Sequence, residues 1–205
     1  MKILKNASLV VLVISFMSFN LKDNPSGYQA GDKAIDFKLK NIDDKDVSLS
    51  DFKEAKGFIV VFTCNHCPFS VAYEDRIVAL DKKYAVKGYP VIAINPNDDK
   101  SYPDDSFENM KIRSKAKKFT FPYLRDESQE IAKAYGAART PHVYILSKSG
   151  SDLIVKYIGA IDDNTENPNG VKDKYVENAL GQLIANGEVK VPFTKAIGCG
   201  IKWKK

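Results

Sequence analysis

The sequence predicts an α/β fold of three layers, with a central mixed sheet flanked by helices. Three observations lead there. Residues 58–63 and 89–94 are short, apolar, β-branched runs that read as fully buried strands. Helical periodicity follows the first of them at once, with Tyr73, Ile77, Leu80 and Tyr84 on one face. A second pair of strand-like runs, residues 142–146 and 153–158, is joined by a turn at residues 147–150. Crossover helices require parallel neighbours in the middle of the sheet, and the closing hairpin adds antiparallel ones.

The elements follow in order. Residues 37–39 alternate as a short strand, and residues 41–46 form a polar turn. Ser50 or Asp51 is placed to cap a short helical turn. A helix over 69–84 ends at Gly88, and residues 95–99 form a loop after the second strand. Residues 105–118 read as a charged, exposed helix, and residues 121–124 as a short extended piece. Ser128 is placed to cap a helix that Gly136 stops after Tyr135. Residues 162–170 form an acidic, Asn-rich loop, read as solvated because it lacks the spacing of a calcium loop. The last helix, residues 172–185, presents Val176, Leu180, Leu183 and Ile184 to the core, and the tail is expected to anchor through Trp203.

The 205 residues suit one domain with additions at both ends. The organisation read from the chain is a leader or anchor at 1–21, a linker at 22–30, the domain at 31–187 and a tail at 188–205. With 44% hydrophobic and 28% charged residues, global disorder is excluded. The net charge of +5 comes partly from the chain ends and forms no dense basic stripe, so a nucleic-acid partner is not expected. Lys2 and Lys5 precede an apolar run from Ala7 to Phe19. That pattern predicts export to the periplasm or another extracytoplasmic space, with an uncleaved membrane tether as the alternative.

Chemistry is concentrated in Cys64-Asn65-His66-Cys67-Pro68. The pair of thiols stands between a buried strand and a helix, the setting in which a CxxC motif is redox-active. At a helix N-terminus, unpaired N–H groups and the helix dipole favour a thiolate, which is the reactive form. Cys64 is therefore the expected nucleophile, with a lowered pKa, and Cys67 the resolving thiol. An imidazolium at His66 would stabilise the thiolate further and make the pair more oxidising. A zinc site is disfavoured, because His66, His142 and Cys199 supply no second ligand pair of the usual spacing. Cys199 reads as a packing residue, a free thiol or a second resolving thiol.

With those residues in place, the chain resembles the thioredoxin-like superfamily, and within it the alkyl hydroperoxide reductase/thiol-specific antioxidant, peroxiredoxin-like branch. Gly31-Asp32-Lys33-Ala34-Ile35-Asp36-Phe37 is similar to that branch's entry segment, and Arg139-Thr140-Pro141-His142-Val143 to the segment carrying the cis-Pro of thioredoxins. Thr63 stands where thioredoxins carry Trp, and Cys64 where peroxiredoxins carry Thr. The resemblance implies a thiol–disulfide oxidoreductase with an antioxidant role that needs no organic cofactor and no metal. It implies a cis Pro141 beside the dithiol, a substrate groove at Thr140 and Pro68, and an Arg139 able to polarise peroxide. The alternatives are a peroxidase in which Cys67 is oxidised and Cys64 resolves, and a non-catalytic binding module. The implied partners are protein thiols or disulfides, a small thiol or a hydroperoxide, and an electron-transfer protein.

Overall fold

The computed structural model describes residues 27–205; the leader or anchor expected at 1–21 and most of the expected linker lie outside the described residues. The strands are β1 (Lys33–Ala34), β2 (Lys38–Asn41), β3 (Asp46–Ser48), β4 (Gly57–Phe62), β5 (Val91–Asn95), β6 (Tyr123–Arg125), β7 (Arg139–Thr140), β8 (His142–Ser149), β9 (Asp152–Gly159) and β10 (Cys199–Gly200). The helices are α1 (Pro68–Tyr84), α2 (Phe107–Lys117), α3 (Glu130–Tyr135) and α4 (Tyr175–Ile184). Eight strands form one mixed sheet in the order β1-β9-β8-β4-β5-β6-β2-β3. β4, β5 and β6 are parallel, and β8 runs antiparallel to β4. β10 and β7 make a separate two-stranded pair.

Alternation along β4 builds both sides of the core. Ile59 and Val61 face the layer of α1, α2 and α4, where Tyr73, Ile77, Leu80, Met110, Val176 and Leu180 pack. Phe58, Val60 and Phe62 face the opposite layer, with Ala132 and Tyr135 of α3. Such strands read as continuous apolar runs because both faces are covered.

Several elements differ from expectation, each for a local reason. Ser48, not Ser50 or Asp51, caps the first short turn, forming a reciprocal capping box with Asp51. α3 begins after Gln129, and Ser128 only accepts from the Glu130 N–H at 3.3 Å. The hairpin strands extend to Ser149 and Asp152, leaving Gly150 at φ 61° in the turn. Ile184 is exposed, because α4 packs through Val176, Ala179 and Leu180, and a residue at 184 falls on the flank of that stripe. Asp162 is buried rather than solvated: the Tyr73 hydroxyl donates to it at 2.7 Å and Arg76 pairs with it at 2.7 Å. Trp203 is 41% exposed, and Ile201, at 7%, is the tail residue that enters the core.

Candidate active site

The sheet register sets the site. Phe62 at the end of β4 pairs with His142 at the start of β8, so the residues after β4 meet those before β8. The first are Thr63 to Cys67, and the second are Arg139 to Pro141. The Thr140–Pro141 peptide bond is cis.

Helix α1 begins at Pro68, with Cys67 as its N-cap in an extended conformation. Proline suits that first position, since the N–H it lacks would have no helical partner. Cys64 and Cys67 both meet Thr140, the first at its hydroxyl and the second at its carbonyl. The Cys64 thiol donates to Thr140 Oγ1 at 3.3 Å, and Cys67 Sγ lies 3.2 Å from the Thr140 carbonyl oxygen. Cys67 is disulfide-bonded, but to Cys199 rather than Cys64, and Cys64 is a free thiol.

Cys64 is not the exposed, acidified thiol that its place in the motif suggests. It is 3% exposed. Burial pushes its thiol pKa up, and the nearby Asp105 carboxylate pushes it further. Hydrogen bonding with the Thr140 and Ser70 hydroxyls, which can turn to donate to a thiolate, and with the Cys67 N–H pulls it down without offsetting those effects. The physical reason is position: Cys67, not Cys64, caps the helix, and Cys64 is tucked beneath it.

His66 is committed elsewhere. Its Nδ1 lies 2.6 Å from Asp105 Oδ2, and its ring stacks on Tyr102. Asp105 is fully buried and also accepts from the Asn65 N–H and from Asn97 Nδ2, both at 2.7 Å. Asn65 is held in turn by the Tyr123 hydroxyl at 2.9 Å. The donor atoms of Cys64, His66 and Asp105 all lie within 4.8 Å of one another, so they could face a cation. With three hydrogen bonds already on Asp105, a cation there would have to displace His66.

Arg139 is exposed, and its guanidinium donates to the Gly198 carbonyl at 3.4 Å. That bond ties it to the tail, and no hydrogen bond to Cys64 or Cys67 accompanies it among the described residues. The Thr140 edge is not free for a substrate strand either. β10 occupies it antiparallel, with Cys199 opposite Thr140 and Gly200 opposite Arg139.

Sequence reasoning missed Asp105 and Ser70. Asp105 lies 40 residues from Asn65 and reads locally as a helix start, so nothing nearby marks it. The Cys67–Cys199 link spans 132 residues. A legible signal is Gly198 just before Cys199: a Cβ there would overlap the Thr140 carbonyl.

A strand–dithiol–helix unit set against a cis X-Pro on a mixed sheet defines a thiol–disulfide oxidoreductase of thioredoxin-like fold. The chain belongs to the AhpC/TSA family, which matches residues 30–157. It is 28% identical over 149 residues to the thiol-disulfide oxidoreductase ResA of Oceanobacillus iheyensis, covering 69% of this chain and 72% of that one. Among solved structures, an uncharacterized conserved protein from Geobacillus kaustophilus is 40% identical at a TM-score of 0.79, over 86% of this chain and 93% of that one. A hypothetical protein from Sinorhizobium meliloti is 32% identical at a TM-score of 0.80, over 87% and 96%. Peroxidoxin BcpB from Mycobacterium tuberculosis, 17% identical over 77% of this chain and 97% of that one, shares the fold at a TM-score of 0.57.

Proposed function

We propose that the protein exchanges disulfides with cysteine-bearing proteins or small thiols, with Cys64 as nucleophile and Cys67 as resolving thiol. The observation that carries this reading is the convergence of both sulfurs on Thr140, beside cis Pro141. A Cys64 thiolate attacks a substrate disulfide and forms a mixed disulfide, expelling one substrate thiolate. Cys67 then attacks Cys64, forming the Cys64–Cys67 bond and releasing the second substrate thiol. Thr140, the Cys67 N–H and Ser70 stabilise the thiolate once it forms. His66 and Asp105 set the charge beside it. The relatedness to ResA supports the same chemistry.

Export is part of the proposal, supported by Lys2, Lys5 and the apolar run that follows. Among the described residues no helix is long and apolar enough to cross a membrane. The hydroperoxidase alternative is less well supported, because the Arg139 guanidinium is engaged with the Gly198 carbonyl of the tail.

Trapping tests the assignment. Reduced Cys67→Ser, incubated with a disulfide-bonded protein substrate, should accumulate mixed disulfides through Cys64. Cys64→Ser should accumulate none. Adducts found on Cys67 alone by peptide mass spectrometry would reverse the nucleophile and the resolving thiol.

A further inference from the structure

The C-terminal tail is built into the redox centre rather than laid over it. Cys199 is bonded to Cys67, the residue that caps α1. β10 pairs in register with β7, which sets Cys199 opposite Thr140, the residue that both other sulfurs touch. Gly198 lets the tail backbone lie directly on the Thr140 carbonyl.

Beyond the cysteine the tail is independently anchored. Ile201 is buried in the core, and its N–H donates to Ala138 O at 3.3 Å. The Lys202 N–H donates to Asn97 Oδ1, its carbonyl accepts from the Asp98 N–H and from Gln129 Nε2, and the Lys204 N–H donates to Gln129 Oε1, each at 2.8 Å. These contacts do not involve the disulfide. Breaking the Cys67–Cys199 bond would therefore leave Cys199 close by. A thiol held at such high effective concentration exchanges as an intramolecular group.

We infer that Cys199 is a third catalytic thiol, which takes over the disulfide from Cys64 by attacking Cys67. The inference rests on the thiol–disulfide exchange proposed above. In the step, the Cys199 thiolate attacks Cys67 Sγ of the Cys64–Cys67 disulfide. The Cys67–Cys199 bond forms, the Cys64–Cys67 bond breaks, and Cys64 leaves as a thiolate. The proton lost by Cys199 is balanced by the one Cys64 takes up. One disulfide and one thiol stand on each side, so no external oxidant or reductant is consumed. The environments set the direction: Cys64 is buried among groups that favour its neutral thiol, whereas Cys199 is half-buried at the surface. The state with Cys67–Cys199 closed and Cys64 unbonded is the one the structure holds. In it the nucleophile is returned while the oxidising equivalents wait on the tail.

The test is disulfide mapping of the full chain, equilibrated in graded glutathione buffers, acid-quenched, alkylated and read by mass spectrometry. The wild type should oxidise to Cys67–Cys199 with Cys64 alkylated. Cys64→Ser should give the same bond, and Cys199→Ser should oxidise to Cys64–Cys67 instead. Steady-state reduction of a protein disulfide by dithiothreitol should fall at least several-fold in Cys199→Ser, because an intramolecular exchange step is lost. Circular dichroism of the reduced wild type, which also lacks the cross-link, controls for folding. Wild type that oxidises only to Cys64–Cys67, or Cys199→Ser that turns over at the wild-type rate, would overturn the role of Cys199 and leave the exchange activity standing. Failure of every variant to oxidise would overturn both.

Discussion

His66 Nδ1 is hydrogen-bonded to Asp105 Oδ2 at 2.6 Å, and the same buried carboxylate raises the pKa of Cys64. The histidine between the two cysteines therefore acts on the nucleophile chiefly through an acidic group from another part of the chain. Two substitutions should move Cys64 in opposite directions. Asp105→Asn removes a negative charge from beside the thiolate, so Cys64 should alkylate several-fold faster at neutral pH. His66→Ala leaves Asp105 without its ring partner and should slow the reaction. Iodoacetamide kinetics against pH on Cys67→Ser backgrounds would read both; equal shifts in the same direction would rule out this coupling.

Thr140 should matter through its hydroxyl as well as its backbone. Its Oγ1 meets Cys64 at 3.3 Å and lowers the thiol's pKa. A hydrogen bond to a charged group contributes roughly 1.5–3 kcal/mol. Thr140→Val should then slow Cys64 alkylation by about ten-fold or more, each ten-fold being about 1.4 kcal/mol. Thr140→Ser, which keeps the hydroxyl, should restore most of the rate. A Thr140→Val protein that reacts like wild type would show that the contact does not stabilise the thiolate.

The tail cross-link should be visible as stability. It joins residues 132 apart. The chain-entropy estimate for a closed loop of that length is about 5 kcal/mol, and typical measured effects are about 2–4 kcal/mol. Without reductant, Cys199→Ser should unfold at lower denaturant concentration than wild type, by about 2–5 kcal/mol. Adding dithiothreitol should bring the two curves together, because both then lack the bond. A difference that persists in full under reduction would assign the loss to packing at residue 199 instead.

The layered fold was legible because β4, β5 and α1 carry strong local signals: continuous apolar strands and a clean helical stripe ended by Gly88. The place of the dithiol was legible for the same reason, since the end of one strand and the start of one helix fix it. Its electrostatics were not. Burial and a distant carboxylate decide the state of Cys64, and both arise only in the folded chain, where Asp105 accepts from the Asn65 N–H within the motif. The partner of Cys67 was equally hidden. Residue spacing favours Cys64, while the pairing of β10 with β7, a long-range contact with no periodic signature, selects Cys199. Trp203 misled because size suggests an anchor, whereas the segment after β10 turns Ile201 inward and leaves Trp203 beside Lys133 at the surface.

His142, directly after Pro141, should govern part of the acid limb of stability. It is buried, and burial pulls its pKa down to about 4 from an ordinary 6.5. Its Nδ1 faces the Ala138 N–H at 3.4 Å and the Tyr144 hydroxyl at 3.5 Å, so the folded protein holds the ring neutral. The unfolded chain binds a proton at this residue as pH falls through about 6.5, and the folded protein only near 4. Between those values the unfolded state carries more protons, so stability falls as pH falls. The contribution is nil above the window and reaches about 3 kcal/mol below it, at 1.36 kcal/mol per pKa unit. Asp36 and Glu177, whose carboxyls are held below their usual range, also lose stability toward acid, so the wild-type curve alone does not isolate His142. His142→Asn keeps an acceptor near Nδ1 without the titrating ring. Urea unfolding of both proteins at pH 7.0, 5.5 and 4.0 should show their stability gap shift toward the variant as pH falls, by up to about 3 kcal/mol. A gap that stays constant over that range would mean that His142 titrates normally in the folded protein.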